Sequence, residues 1–161
     1  LAATGTDVAL KDIARLTDAF YIGGTKCGAI LGEAVVFPRK GLAEHLFTQI
    51  KRRCSLLAKG WIVGIQFDVL FTDNLYIRAA RNAIVMAEKL KHGMKRKGYK
   101  LYINSPTNQQ FFMVTAKQAD HIADCTTFDT WQNLPDGHSV IRLATSWYTK
   151  EEEIDRLIDV L

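Results

Sequence analysis

Phe20-Tyr21-Ile22-Gly23-Gly24-Thr25-Lys26-Cys27-Gly28-Ala29 places a lysine in a tight turn between two apolar runs. The small residues around Lys26 let another group approach the backbone closely. An amine partly withdrawn from water loses proton affinity and becomes a nucleophile towards carbonyls, the usual preparation of a Schiff-base lysine. The same spacing also suits an ordinary solvated lysine in a surface turn. It does not fit a nucleotide-binding P-loop, because Gly-x-x-x-x-Gly-Lys followed by Ser or Thr is absent. Cys27 is either activated by the neighbouring cation or a small core residue.

Outward from this turn, strands and helices alternate. Asp7 to Leu16 fits a short helix capped by Thr6 or Asp7, and Ala19 to Ile22 fits a buried strand. The run from Ala29 to Phe37, broken at Gly32-Glu33 and closed by Pro38, reads as a second strand. Leu42, Leu46, Ile50, Cys54 and Leu57 fall on one face of a helix. Trp61 to Phe71 is apolar almost all round, which predicts burial and leaves helix or strand open. After Thr72-Asp73, a candidate cap, the spacing Leu75, Ala79, Ala83, Ala87, Leu90, Met94 marks a long helix ending at Gly98.

From about Tyr99 the style changes. Leu101 to Ile103, Phe111 to Val114 and Val140 to Ala144 read as strands, with a short helix near Lys117 to Ala123. Thr149 and Glu152 have capping-box spacing before a final helix that buries Ile154, Leu157, Ile158 and Leu161. This is an α/β pattern followed by a small α+β unit. Leu1 in first place, and a helix pattern still running at Leu161, are expected of a segment of a longer polypeptide.

The 161 residues are 48% hydrophobic and 24% charged, which excludes disorder and allows a substantial core. No apolar run reaches membrane-spanning length, so no membrane association is expected. Cys27, Cys54 and Cys125 are odd in number and widely spaced, arguing against a disulfide framework or a structural zinc site and for a reducing cytoplasm. The net charge is +4, but no acidic residue falls between Glu88 and Asp120. Lys89, Lys91, Lys95, Arg96, Lys97, Lys100 and Lys117 lie there, with Tyr99, Tyr102, Phe111 and Phe112 interleaved. Such a patch would either follow a nucleic-acid backbone or simply solvate a helix end and complement its dipole.

Arg142 stands in the strand Ser139-Val140-Ile141-Arg142-Leu143-Ala144-Thr145. A guanidinium among apolar residues needs an anion, and its planar fork suits a carboxylate. That anion is a bound ligand or a structural ion-pair partner. His45, His92, His121 and His138 have no metal-site spacing. Asp129, Glu33 and Asp68 are possible acid/base groups without the spacing of a carboxylate dyad.

Several motifs together resemble the L-threonine aldolase and β-eliminating lyase family. They are Asp12-Ile13-Ala14-Arg15-Leu16-Thr17-Asp18, Gly23-Gly24-Thr25-Lys26, Gly32-Glu33-Ala34-Val35-Val36 and Leu57-Ala58-Lys59-Gly60. Further along come Gly64-Ile65-Gln66-Phe67, Ser105-Pro106-Thr107-Asn108-Gln109 and Arg142-Leu143-Ala144-Thr145-Ser146-Trp147. The resemblance implies the C-terminal part of a fold-type I pyridoxal 5'-phosphate enzyme. Residues 1–71 would end the large cofactor-binding domain, 72–98 would connect, and 99–161 would form the small domain.

By the same resemblance, Lys26 is the lysine that binds the cofactor aldehyde and moves protons at Cα. Thr25, where relatives often have Ser, supports the phosphate or that linkage. Lys59, where many relatives have Arg, and Arg52 match basic positions that reach the phosphate across a subunit contact. Arg142 matches the arginine that holds the substrate α-carboxylate.

The implied reaction is cleavage of the Cα–Cβ bond of a β-hydroxy-α-amino acid such as L-threonine, giving glycine and an aldehyde. The implied enzyme is a cytoplasmic homodimer or homotetramer that binds a small amino acid and no nucleic acid. The turn Thr25-Lys26-Cys27 replaces a common Ser-Lys-Gly, and Ala144-Thr145-Ser146 replaces Val-Thr-His. Both departures leave β-elimination and transamination as alternatives within the fold, with a basic nucleic-acid-binding module as a reading from another class. The family's pyridine-binding Asp and stacking His lie upstream of the part matched by Leu1.

Overall fold

A computed structural model describes residues 1–3 and 5–161, which form two compact units. One comprises Leu1 and Thr6–Arg78, the other Ala2–Gly5 and Ala79–Leu161.

The first unit begins with α1 (Leu10–Leu16). This helix starts later than Thr6 or Asp7, with Ala9 in the capping position and its N–H donating to Asp12 Oδ2 at 2.9 Å. Strands β1 (Phe20–Gly23) and β2 (Glu33–Val36) pair antiparallel, with Ile22 opposite Ala34. The expected strand from Ala29 is shorter because Gly28 and Gly32 both turn the chain through positive φ. Helix α2 (Leu46–Arg52) is likewise shorter than the Leu42–Leu57 spacing predicts, bounded by His45 and Cys54 in left-handed conformation.

Trp61–Phe71 is the helix α3. Contrary to the expected burial, only Phe67 and Leu70 are buried, while Trp61, Ile62, Ile65, Val69 and Phe71 are exposed. A helix that is apolar all round needs neighbours on every side, and the described residues cover one face. Asp73 and Asn74 then adopt left-handed conformations in place of a simple cap before α4 (Leu75–Arg96).

The second unit carries an antiparallel sheet of order β3-β4-β6-β5, built from Lys100–Ile103, Gln109–Val114, Ser139–Ala144 and Asp129–Asn133. Alternation along β4 buries Gln110, Phe112 and Val114, the period of a sheet covered on one face. Phe112, Val114, Ile141 and Leu143 meet Met86, Leu90 and Met94 of α4 in one core. Ile122 of α5 (Ala116–Cys125) and Ile154 and Ile158 of α6 (Glu151–Val160) complete it.

The helix caps are rearranged relative to expectation. Thr115 and Gln118 form a reciprocal capping box at α5. At α6 the expected Thr149–Glu152 box is not made, and Glu153 accepts from the Lys150 N–H at 3.0 Å instead. Thr149 is occupied elsewhere, its hydroxyl accepting from Ser146 N at 2.9 Å.

The basic stretch is partly neutralised within this unit. Lys89 Nζ lies 2.7 Å from Glu151 Oε1 and 2.6 Å from Asp155 Oδ2, and these carboxylates raise its proton affinity. Lys91 is buried against Glu88, with Nζ 2.6 Å from Oε1. Among the described residues no helix is long and apolar enough to cross a membrane.

Candidate active site

The Lys26 turn is a single 3-10 turn, Thr25–Cys27, between Gly24 and a left-handed Gly28 at φ 107°. The Gly24 carbonyl accepts from Cys27 N at 2.9 Å and Ala29 N at 3.0 Å, closing the bend. A β-carbon at Gly24 would lie 2.6 Å from Ala29 Cβ and 2.9 Å from Phe67 Cζ, so only glycine fits against α3. Ile30 N adds a 2.7 Å bond to Gln66 Oε1 of the same helix. Helix α3 is thus the floor on which the turn rests.

Cys27 and Ala29 point inward, whereas Thr25 and Lys26 are exposed. The Lys26 side chain has no hydrogen-bond or ion-pair partner among the described residues, which leaves it accessible to a bound group. Arg52 ends α2 and Lys59 precedes α3, both exposed and both without an acidic partner among the described residues. Arg142 falls in the other compact unit.

Cys27 is not an activated thiol. Burial pushes its proton affinity up, against a smaller opposing effect of the Tyr76 hydroxyl. Tyr76 donates to the Gly23 carbonyl at 2.8 Å, and burial, followed by the neighbouring thiol, raises its own pKa strongly. Cys27 is therefore a packing residue behind the lysine. At pH 8 an aqueous alkylating agent should modify the exposed Cys54 and Cys125 quickly and Cys27 only on unfolding. Mass spectrometry of timed samples checks this, and equal rates at all three would contradict it.

Arg142 sits in β6 directly opposite Phe111 of β4 and Asp129 of β5. Its side chain is 30% exposed. Asp129 Oδ2 accepts from Nη2 at 2.6 Å and from Nε at 3.1 Å, and Gln109 Oε1 accepts from Nη1 at 3.2 Å. The guanidinium carbon lies 5.4 Å from the centre of the Trp131 ring, a cation–π distance. The segment after Arg142 is anchored to α4. Buried Thr145 donates to Ala83 O at 2.6 Å, and Asn82 Nδ2 reaches the carbonyls of Trp147 and Thr149, each at 3.0 Å.

The sequence reading missed Gln109 and Trp131 as neighbours of this arginine and took Asp129 only as a possible acid or base. Their signal was weak, because β5 is a polar edge strand, Asp-Thr-Trp-Gln-Asn, without an apolar alternation. No group of three or more His, Cys, Asp or Glu that could hold a metal occurs among the described residues.

A threonine aldolase from Leishmania major aligns with 99% of the chain at 39% identity and a TM-score of 0.92. The chain belongs to the threonine aldolase family. It corresponds to the C-terminal part of the fold-type I pyridoxal-phosphate enzymes. The chain spans 47% of the length of the Leishmania protein. A second likeness shows the fold alone: 8-amino-7-oxononanoate synthase from Francisella tularensis, at 14% identity and a TM-score of 0.56, over 80% of this chain and 40% of that one. No family model matches the chain, and no curated protein does. Within the threonine aldolase family, the likeness runs through both compact units, so it takes in the Lys26 turn and the Arg142 strand together.

Proposed function

We propose that this threonine aldolase-family chain contributes the lysine and the carboxylate-binding arginine of a pyridoxal-phosphate-dependent lyase. The enzyme cleaves the Cα–Cβ bond of a β-hydroxy-α-amino acid such as L-threonine to glycine and an aldehyde. The observation that carries this reading is the 39% identity with a threonine aldolase over 99% of the chain.

The residues present suit the cofactor. An exposed amine without a partner among the described residues, on a glycine-bounded turn, is accessible to an aldehyde. The Thr25 hydroxyl and the exposed Arg52 and Lys59 suit a phosphate dianion. In this reading Lys26 holds the cofactor covalently, Thr25 steadies it, and Arg52 and Lys59 bind its phosphate across a subunit contact of a homodimer or homotetramer. When bound, pyridoxal phosphate supplies an electron sink for the pair left on Cα as the bond breaks.

The protein does the rest. Arg142 binds the α-carboxylate and so sets which bond at Cα faces the sink. In this reading a base would take the β-hydroxyl proton as the aldehyde forms, and Lys26 would carry the proton that reaches Cα to give glycine. The odd number and wide spacing of the three cysteines favour a cytoplasmic enzyme.

The deciding experiment assays the full-length enzyme on threonine and allo-threonine for glycine and acetaldehyde. Release of 2-oxobutanoate and ammonia instead would move the reading to β-elimination, and consumption of a 2-oxo acid to transamination. Arg142→Lys should raise KM for the amino acid about tenfold or more while leaving the cofactor absorbance unchanged, because a planar fork becomes a point charge. Unchanged kinetics would make Arg142 a purely structural residue.

A further inference from the structure

We propose that Asp129 is a positioning residue for the carboxylate-binding arginine, holding the Arg142 guanidinium in one orientation with the help of Gln109 and Trp131. This rests on the reading of Arg142 as the residue that meets the substrate. Arginine has five N–H donors, and three are engaged here, two on Asp129 Oδ2 and one on Gln109 Oε1. Two remain for an incoming carboxylate.

The holding groups are themselves fixed. Asp129 is in register with Arg142 across the β5–β6 pair, so the strand backbone sets their spacing. Trp131 stands beside the guanidinium and is braced by Phe111, ring centres 5.4 Å apart and nearly perpendicular. A long, flexible side chain is thereby ordered before the substrate arrives, and the entropy of ordering it is not lost on binding. Both hydrogen bonds from the Nε and Nη2 edge converge on a single oxygen, leaving Asp129 Oδ1 without a hydrogen-bond partner among the described residues. The pair is therefore not a closed two-by-two fork, and Nη1 and Nη2 each keep one N–H without a partner among the described residues.

The test uses the full-length holoenzyme. Asp129→Ala should raise KM for the amino acid about ten- to thirtyfold, with kcat within about threefold and an unchanged cofactor spectrum. The Kd for glycine, from titrating the cofactor absorbance, should rise in parallel without any turnover. Asp129→Asn keeps an acceptor oxygen and removes the charge, so it should restore most of the affinity.

An unchanged or lower KM in Asp129→Ala overturns the inference; a lower one would mean that Asp129 competes with substrate for the arginine. Failure of Asn to restore affinity overturns it too, since charge and not orientation would then act. If Asp129→Ala does not fold, Gln109→Ala decides: KM should rise a few-fold, and no rise overturns the inference. Arg142→Lys separates the two levels. An unchanged KM there removes the role of Arg142 itself, whereas a raised KM there with an unaffected Asp129→Ala removes only the positioning role.

Discussion

Replacing Lys26 by alanine is expected to leave the full-length enzyme colourless and without measurable turnover. The side chain is exposed and makes no hydrogen bond or ion pair among the described residues, so the folded state loses little. Surface substitutions of this kind change stability by about 0.5 kcal/mol or less. The turn that displays the lysine is held by Gly24, Gly28 and the Phe67 packing, none of which involves the amine. What disappears is a covalent attachment point together with a proton carrier, and a lost proton carrier alone lowers kcat by roughly 10²–10⁴-fold. Borohydride reduction of the wild type should bleach it and fix the label on Lys26. A Lys26→Ala protein that stayed yellow and took the label elsewhere would displace the lysine from its assigned role.

The second large effect is on stability. Phe112 is 0% exposed in the middle of β4, with helices α4, α5 and α6 contributing to the core around it. Phe112→Ala should destabilise the protein by about 3–5 kcal/mol, the lost transfer energy of the ring plus the cavity it leaves. Domains of this size are stable by roughly 5–15 kcal/mol, so a large share of the folded state's margin goes. Phe111→Ala, one residue earlier and half-buried on the opposite face, should cost markedly less. Urea denaturation midpoints of the two variants measure the difference. Equal losses would mean that the helices do not cover the Phe112 face of the sheet.

How far the sequence discloses this architecture depends on what each element leans on. The Lys26 turn and helix α4 were legible because glycines and an i, i+3, i+4 apolar stripe are local signals. The β4 and β6 strands were legible through their apolar residues. Strand β5 was not, because its residues face water and gain their order from the backbone of β6. Missing that strand hid the partner of Arg142, although the need for an anion was plain from a charge in an apolar strand. Helix α3 was ambiguous for the opposite reason, being apolar in every direction. The exchange of Thr149–Glu152 for Glu153 shows that a capping signature names the helix start only to within a residue or so.

The bare apolar flank of Trp61, Ile62, Ile65 and Val69 has a practical consequence for anyone who produces this stretch of polypeptide by itself. Contiguous greasy surface of that kind favours inclusion bodies and clumping, and it should light up a dye such as ANS even while the four-stranded sheet is intact. Dye fluorescence from the isolated piece would therefore report on that flank, not on melting.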